Sequence, residues 1–123
     1  MQSLDLHIKE LILKAEQGNA EAQHELGQRC EYGEGVPEDE TQALEWYTKS
    51  ANQGNPKGQY AMGLLYGEGK SVTADASKAA EWLRMAAEQG YAKAQYPLGV
   101  MYEQGMGVQQ NDALAAEWYQ KAA

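Results

Sequence analysis

Few side chains in this sequence could support chemistry, and their spacing does not bring them together. The chain has two histidines, His7 and His24, and a single cysteine, Cys30. A zinc site needs several such ligands at close spacing, so these residues do not predict a metal centre. Neither a Gly-x-Ser-x-Gly turn nor a Ser-x-x-Lys pair is present, so the common serine nucleophiles are not indicated. We predict no catalytic residue, no metal ligand and no cofactor, and we expect that the protein is not an enzyme.

Three glycine pairs resemble the start of a nucleotide-binding loop. The pairs are Gly33-x-Gly35, Gly67-x-Gly69 and Gly105-x-Gly107. A phosphate-binding loop follows a β-strand and continues to a third glycine or to a Walker lysine–serine arrangement. The pairs in this chain follow segments with a helical pattern and lack both continuations. We interpret them as turn glycines.

A repeat of 36 residues predicts the secondary-structure elements that would position any functional site. Trp46, Trp82 and Trp118 are each 36 residues apart, and no gap is needed anywhere along the chain. An unbroken period of this length is typical of proteins built from stacked structural repeats. Further sets that follow the same step are Gln23, Gln59 and Gln95; Leu26, Met62 and Leu98; Gly27, Gly63 and Gly99; Ala43, Ala79 and Ala115; Ala51, Ala87 and Ala123; and Asp39, Asp75 and Asn111.

Each repeat is predicted to form two helices, which we name helix A and helix B. In the second repeat we expect helix A to run from near Pro56 to near Tyr66, because proline suits the first helical position. Asp75 suits the N-cap of helix B, which we expect over residues 76–88. Gly90 then suits a left-handed stop after that helix. The sequence thus predicts helical hairpins joined by glycine-bearing turns.

The domain organisation follows from the same register. We expect one repeat domain over residues 1–123, with an N-terminal half-repeat helix in 1–18, repeats in 19–54 and 55–90, and a slightly truncated repeat in 91–123. The N-terminal helix has an apolar stripe opposite a polar face. The stripe consists of Leu4, Ile8, Leu11, Ile12 and Ala15, and the polar face carries Asp5, Lys9, Lys14 and Gln17.

Small and large residues at repeated positions predict how the hairpins pack. Gly27, Gly63 and Gly99 follow a Leu or Met and should let a neighbouring helix approach closely. The repeated tryptophans should fill the space between hairpins. His24 and Cys30 occupy positions that carry tyrosine in the other repeats, so we interpret both as packing residues.

One run of residues in the first repeat carries a family pattern. The run is Leu26-Gly27-x-x-Cys30-x-x-Gly33-x-Gly35-Val36-x-x-Asp39-x-x-x-Ala43-x-x-Trp46-Tyr47-x-Lys49-x-Ala51. It resembles the Sel-1-like repeat. The resemblance implies an all-α fold, an α/α superhelix (solenoid) of about three helix-turn-helix repeats plus an N-terminal helix. It also implies a tetratricopeptide-like protein that serves as an adaptor or scaffold, which is an expectation drawn from fold alone.

The sequence departs from this pattern at four places. Cys30 replaces a tyrosine. Ser71 replaces the second loop glycine, so we expect that loop to bend differently. Pro97 falls inside the third helix A and should kink or delay that helix. Leu83 and Met85 replace the tyrosine and the lysine of helix B.

The charge balance constrains the partners. The formal net charge is −8, from 10 basic and 18 acidic residues, so nucleic acid would be repelled and a basic protein or peptide would be attracted. No apolar run is long enough to span a membrane, so we expect no membrane insertion. The N-terminus, from Met1 to Asp5, lacks the basic and apolar regions of a signal peptide, so we expect a cytoplasmic protein.

A partner-binding groove is the main site hypothesis. The resemblance implies that helix A lines the concave face, and positions that differ between repeats mark the side left free for recognition. Two interpretations apply to Leu64 and Val100, an exposed apolar patch or burial by superhelical curvature. Tyr32 is the best anchor candidate, because tyrosine often concentrates binding energy. We name these positions the groove stripe: Glu21, Glu25, Gln28 and Tyr32; Lys57, Ala61, Leu64 and Glu68; and Lys93, Pro97, Val100 and Gln104.

Three functions are compatible with these observations. We expect an adaptor or scaffold that binds a protein or peptide in the groove. One alternative is an immunity or inhibitor protein that masks a basic effector. Another is a β-lactamase-like enzyme of the family's cysteine-rich branch, although that branch has a cysteine pair in each repeat and this chain has one cysteine. We also expect the C-terminal face near Trp118 and Tyr119 to contact another copy or a further repeat.

Overall fold

The computed structural model describes residues 5–123. Within these residues the chain forms seven α-helices and no β-strand, which confirms the predicted all-α class. Leu4 of the predicted apolar stripe lies outside the described residues. The helices are α1 (Leu6–Glu16), α2 (Ala20–Tyr32), α3 (Glu40–Asn52), α4 (Pro56–Glu68), α5 (Ala76–Glu88), α6 (Ala92–Gln104) and α7 (Asp112–Ala122).

The helices follow the predicted hairpin pattern. Helix A of the three repeats corresponds to α2, α4 and α6, whereas α1, α3, α5 and α7 correspond to helix B. The predicted bounds of α5 are correct, and α4 begins at Pro56 as predicted but ends at Glu68. Gly90 has a φ of 88°, so the left-handed stop after α5 is confirmed.

One capping device begins three of the B helices. The side-chain oxygen of the residue before the helix accepts a hydrogen bond from the backbone N–H three residues later, which satisfies one of the orphan donors of the first turn. Because the capping residues recur every 36 positions, each hairpin enters its second helix in the same way. The pairs are Asp39 with Gln42 at 3.0 Å, Asp75 with Lys78 at 3.1 Å and Asn111 with Leu114 at 3.0 Å.

The chain divides into two compact units, residues 1–58 and residues 59–123. In unit 1, Ile8, Leu11 and Ala15 of α1 are buried, and the predicted polar face of that helix is exposed. Ile12 is only half-buried. The register therefore predicted the buried side of α1 correctly at three of its described positions.

Unit 2 has a core in which small residues of one helix receive large residues of the next. Ala79, Ala86 and Ala87 of α5 are buried, and Leu98 of α6 and Trp118 of α7 belong to the same cluster. Alanine has no side-chain entropy to lose and permits close helix contact, so this pattern suits tightly packed helices.

A glycine in each A helix receives a side chain of the following B helix. A Cβ atom at Gly27 would lie 2.7 Å from the ring of Tyr47, and one at Gly99 would lie 2.8 Å from the ring of Tyr119. In the second repeat Leu83 occupies this place beside Gly63. The prediction that helices approach closely at these glycines is therefore correct.

The side chain that fills this space is not the tryptophan. It is the residue directly after the tryptophan in each B helix, whereas Trp46 and Trp82 are half-buried and Trp118 is buried. Adjacent residues of a helix point about 100° apart, so only one of the two can face the partner helix of the same hairpin. The tryptophan was predicted to fill the space between hairpins, and Trp118 of α7 does belong to the buried cluster that includes Ala86 of α5 and Leu98 of α6.

Buried glutamines link two of the A helices, α2 and α6, to the B helix before them. The amide nitrogen of Gln23 donates to the carbonyl of Ala15, and that of Gln95 donates to the carbonyl of Ala87, both at 3.1 Å. Gln53 donates to the Oε1 of Gln23 at 2.7 Å. These bonds satisfy polar groups inside the packed region, which explains why a polar residue is buried at Gln23 and Gln95.

The structure contradicts the expected delay of α6 at Pro97 and the expected change of bend at Ser71. Helix α6 begins at Ala92 and continues unbroken to Gln104, so Pro97 does not delay it. Proline removes only the bond to the Lys93 carbonyl, near the N-terminal end of the helix, and the remaining ladder persists. Ser71 has a φ of 67°, close to the 72° of Gly107, so its loop keeps the left-handed conformation rather than bending differently.

Candidate partner-binding surface

The first part of the groove stripe lies on the accessible side of α2. Glu21 and Gln28 are exposed and Glu25 is half-buried, whereas Leu26 and Cys30 are buried on the other side of the helix. The thiol of Cys30 has a pKa raised by burial and by the nearby carboxylate of Asp39, as expected for a packing residue.

Tyr32 lies at the C-terminal end of α2 and is 62% exposed. The chain turns directly after it, since Gly33 adopts the left-handed conformation that ends the helix. Tyr32 therefore presents a large ring at a helix end, with most of its surface accessible.

Two residues of the groove stripe bind each other in unit 1. The Nζ of Lys57 lies 2.7 Å from the Oε1 of Glu21, and Asn55 donates to the other carboxylate oxygen at 2.8 Å. The hydrogen bond from Lys57 is the main reason that the pKa of Glu21 is lowered, with Asn55 second. Both side chains of the ion pair are about half exposed, so the pair contributes little stability and a partner could compete for it.

A cleft between α1 and α2 extends this surface. Its volume is 310 Å3, and three glutamates line it together with one lysine and one histidine. The sequence did not predict the contribution of α1, although the polar face of that helix was the available signal. The lining residues are His7, Glu10, Leu11, Lys14, Asn19, Glu21, Ala22 and Glu25.

The groove stripe of unit 2 is more apolar. Leu64 is 38% exposed, and Val100, Pro97 and Ala61 are half-buried. Neither Leu64 nor Val100 is fully buried within the chain, so both retain surface that a partner could cover. The charged and amide residues of this part, Glu68, Lys93 and Gln104, are exposed.

A tyrosine–glutamate pair recurs in two repeats and was not predicted. The hydroxyl of Tyr47 donates to Glu31 at 2.6 Å, and the hydroxyl of Tyr119 donates to Glu103 at 2.6 Å. In the second repeat the corresponding positions hold Leu83 and Gly67, so the two partners change together. That joint change was visible in the sequence, but its meaning depends on two helices being adjacent. Burial raises the pKa of Tyr47, and the carboxylate of Glu31 raises it further.

The predicted C-terminal face carries a cavity of 540 Å3. Tyr119 lines it, whereas Trp118 is buried with Lys121 placed 4.5 Å from its ring centroid. Tyr96, which was not predicted at this face, is 62% exposed, and its ring centroid lies 5.3 Å from that of Tyr119. The other lining residues are Ala92, Glu103, Ala122 and Ala123.

The described part of the chain was searched for metal-binding clusters and for membrane-spanning helices. Residues 5–123 contain no group of three or more His, Cys, Asp or Glu side chains arranged to hold a metal ion. None of the helices assigned in that range is long and apolar enough to cross a membrane.

The hairpins, the 36-residue register and the shared caps define an all-α repeat protein of the solenoid class. A family model described as Sel1 repeat matches residues 20–55, 56–91 and 92–123. The chain therefore belongs to the Sel1 repeat family, as the resemblance implied. Among curated proteins, none matches this chain.

Solved structures of similar proteins support the same assignment. A Sel1 repeat protein from Oxalobacter formigenes is 36% identical, with a TM-score of 0.89, over 94% of this chain and 87% of that chain. A protective antigen of uropathogenic Escherichia coli with an SLR fold is 42% identical, with a TM-score of 0.89, over 94% of this chain but 25% of that chain. The Helicobacter pylori cysteine-rich protein B is 23% identical, with a TM-score of 0.73, over 93% and 86%, and shows likeness of fold alone.

Proposed function

We propose that this chain is a protein-binding module that uses the groove stripe to hold a protein or peptide partner. Domains of the Sel1 repeat fold commonly mediate protein–protein interaction and are typically not enzymes. The observation that supports the proposal is a division within each A helix. The glutamine, the Leu or Met and the glycine that recur in each A helix are buried, whereas every residue of the groove stripe is exposed or half-buried.

The part of the stripe in unit 1 favours a basic segment of the partner. Glu21 and Glu25 lie with Glu10 around the 310 Å3 cleft, and the chain as a whole has a net charge of −8. A lysine or arginine of the partner would replace Lys57 at Glu21 or bind the remaining carboxylates. Attraction of this kind speeds association and weakens as salt is raised.

The part of the stripe in unit 2 favours an apolar segment. Leu64 and Val100 offer aliphatic surface, with Glu68 and Gln104 at the border. Apolar surface with a polar border is typical of peptide grooves on helical proteins.

An immunity or inhibitor protein that masks a basic effector is the second candidate. The three glutamates of the α1–α2 cleft favour it, because they concentrate acidic groups at one place. For this function we expect a single dominant partner whose complex weakens strongly with salt, whereas an adaptor should retain partners held mainly by the apolar part.

A capture experiment with matched variants tests the groove. The parent chain is compared with a Leu64→Glu, Val100→Glu double variant and with a Leu13→Glu, Met85→Glu control, whose side chains are exposed elsewhere. Circular dichroism checks that all three are folded. We expect the stripe variant to lose a partner that the parent and the control both hold. Equal retention by the stripe variant would contradict the groove.

We also propose that the C-terminal face can contact a second copy of the chain. Tyr96 and the 540 Å3 cavity beside Tyr119 support this proposal. Sedimentation at rising concentration should show a dimer that Tyr96→Glu abolishes. An unchanged dimer in that variant, or a monomer at every concentration for the parent, would contradict it.

A further inference from the structure

We propose that unit 2 carries a second binding site, separate from the groove stripe, for an apolar group that bears a carboxylate. The site is a cavity of 450 Å3 bordered by α5, α6, α7 and the loop that joins α6 to α7. We name it the Arg84 cavity. Its principal lining residues are Arg84, Tyr102, Val108, Gln109, Asn111 and Leu114.

Three hydrogen-bond donors of the Arg84 cavity have no partner in residues 5–123. The guanidinium of Arg84, the hydroxyl of Tyr102 and the side-chain amide of Gln109 make no hydrogen bond or ion pair there. The neighbouring amides are occupied instead. Asn111 caps α7, and Gln110 donates to Asp112 at 2.6 Å. Unoccupied donors around one cavity suit an acceptor with two oxygens, which arginine binds in a bidentate manner.

The charge of the lining supports an anionic ligand. Arg84 is the only charged residue among those that line the cavity, and no carboxylate is present there. The cleft of unit 1 and the cavity of the C-terminal face are both lined by glutamate. In a chain of net charge −8, the Arg84 cavity is therefore the described pocket where a carboxylate meets the least local repulsion.

The remaining wall of the cavity is apolar. Val108, Leu114 and the ring of Tyr102 are half-buried, and Val108 and Tyr102 pack against the core of unit 2. In the second repeat the position of Leu114 holds Lys78, whose Nζ lies 5.4 Å from the ring centroid of Tyr66. The third repeat therefore offers aliphatic surface where the second has an ammonium group. A ligand with an apolar body fits this wall better than a bare inorganic anion.

The Arg84 cavity does not overlap the groove stripe. On α6, Tyr102 is two residues from both Val100 and Gln104, which is about half a turn of helix. The two sites therefore lie on different sides of the same helix, and the new site does not depend on the groove proposal.

Titration of the whole isotope-labelled chain by NMR tests the site. The probes are N-acetyl-leucine, which has an apolar body and a carboxylate, and N-acetyl-leucinamide, which has the same body without the charge. We expect saturable shifts at the backbone amides of Gln109 and Asn111 with the acid and at least about tenfold weaker binding of the amide, because hydrogen bonds to ionised groups are the stronger kind. N-acetyl-Gly-Gly-Leu, which has a free C-terminus, is then compared with N-acetyl-leucine. Tighter binding of the tripeptide would indicate that the ligand is a peptide C-terminus, and tighter binding of N-acetyl-leucine would indicate a small free acid.

Two variants identify the residues responsible. Arg84→Gln should weaken binding of N-acetyl-leucine about tenfold, and Arg29→Gln, which removes the other arginine of the chain, should leave it unchanged. Tyr102→Phe removes only the hydroxyl and should weaken binding while the fold is retained. The site is overturned if the acid gives no saturable shifts at the cavity, if the amide binds equally well, or if Arg84→Gln binds as the parent does.

Discussion

At the scale of single residues, Ser71 is the position where local preference and the fold disagree. Its φ of 67° lies in the left-handed region, which costs a residue with a Cβ atom about 1–2 kcal/mol. The corresponding residues of the other repeats are Gly35 and Gly107, which adopt the same region without that cost. We expected a different bend because that prediction used the residue type alone. The packing of the hairpin imposes the left-handed conformation on this loop position, and Ser71 adopts it despite its Cβ atom.

Ser71→Gly should therefore stabilise the protein. We expect the free energy of unfolding to rise by about 1 kcal/mol, because glycine relieves the left-handed strain. Denaturant unfolding followed by circular dichroism measures the change. The control is Ser77→Gly, inside α5, which should lower stability because glycine is a poor helix former. A loss of stability in Ser71→Gly would contradict the account of this loop.

Tyr119 gives a residue-scale prediction about pH. Its hydrogen bond to Glu103 is the main cause that raises its pKa from 10.0 to about 12. Because the folded state favours the protonated phenol, the stabilising contribution is complete below pH 10.0 and is lost as the pH rises through about 12. The absorbance difference between the parent and Tyr119→Phe at rising pH reports this titration. Glu103→Ala should return the midpoint of the Tyr119 titration toward pH 10.0, whereas the control variant Glu88→Ala should leave that midpoint unchanged. A Tyr119 midpoint near the ordinary tyrosine value in the parent chain would contradict the pair.

At the scale of elements, caps and glycines predicted the helices because they act locally. Asp75 predicted the start of α5 and Gly90 its stop, since an N-cap oxygen and a left-handed glycine work through neighbours in sequence. The delay expected at Pro97 is absent, because a proline this near the start of α6 removes a single backbone hydrogen bond and the packing of α6 on α5 and α7 holds the rest of the helix. The partners of Gly27 also could not be assigned, because the choice between Trp46 and Tyr47 depends on how α3 is rotated.

The helix-facing glycines permit a paired test of element packing. Gly27→Ala should destabilise the protein by about 1–3 kcal/mol, because the added methyl group would overlap the ring of Tyr47. Gly67→Ala, also in an A helix, should stabilise it by about 0.5–1 kcal/mol, because the nearest atom to a new Cβ is 4.0 Å away and alanine is the better helix former. Chemical unfolding of both variants gives the values. A Gly27→Ala variant as stable as the parent, or more stable, would contradict the contact between α2 and α3.

At the scale of the whole molecule, the 36-residue register accounts both for the residues that are buried and for the groove-stripe residues that keep accessible surface. Leu26, Leu98 and Ala87 recur at the 36-residue step, and each is buried. The groove stripe consists of positions that differ between repeats, and the structure leaves surface accessible at each of them. The sequence could not predict the α1–α2 cleft or the Arg84 cavity, because each is formed by side chains that come together only when helices and a loop pack. Partner identity depends on those surfaces and therefore on tertiary structure.

The central claim is that the groove stripe binds a protein, and photo-crosslinking tests it most directly. The crosslinking residue benzoylphenylalanine replaces Leu64 in one variant and Met85, an exposed residue outside the stripe, in another. Both proteins are irradiated in cells and the covalent products are identified by mass spectrometry. The account predicts a discrete crosslinked protein from position 64 that position 85 does not give. The same products from both positions, or a discrete product from position 85 alone, would contradict it.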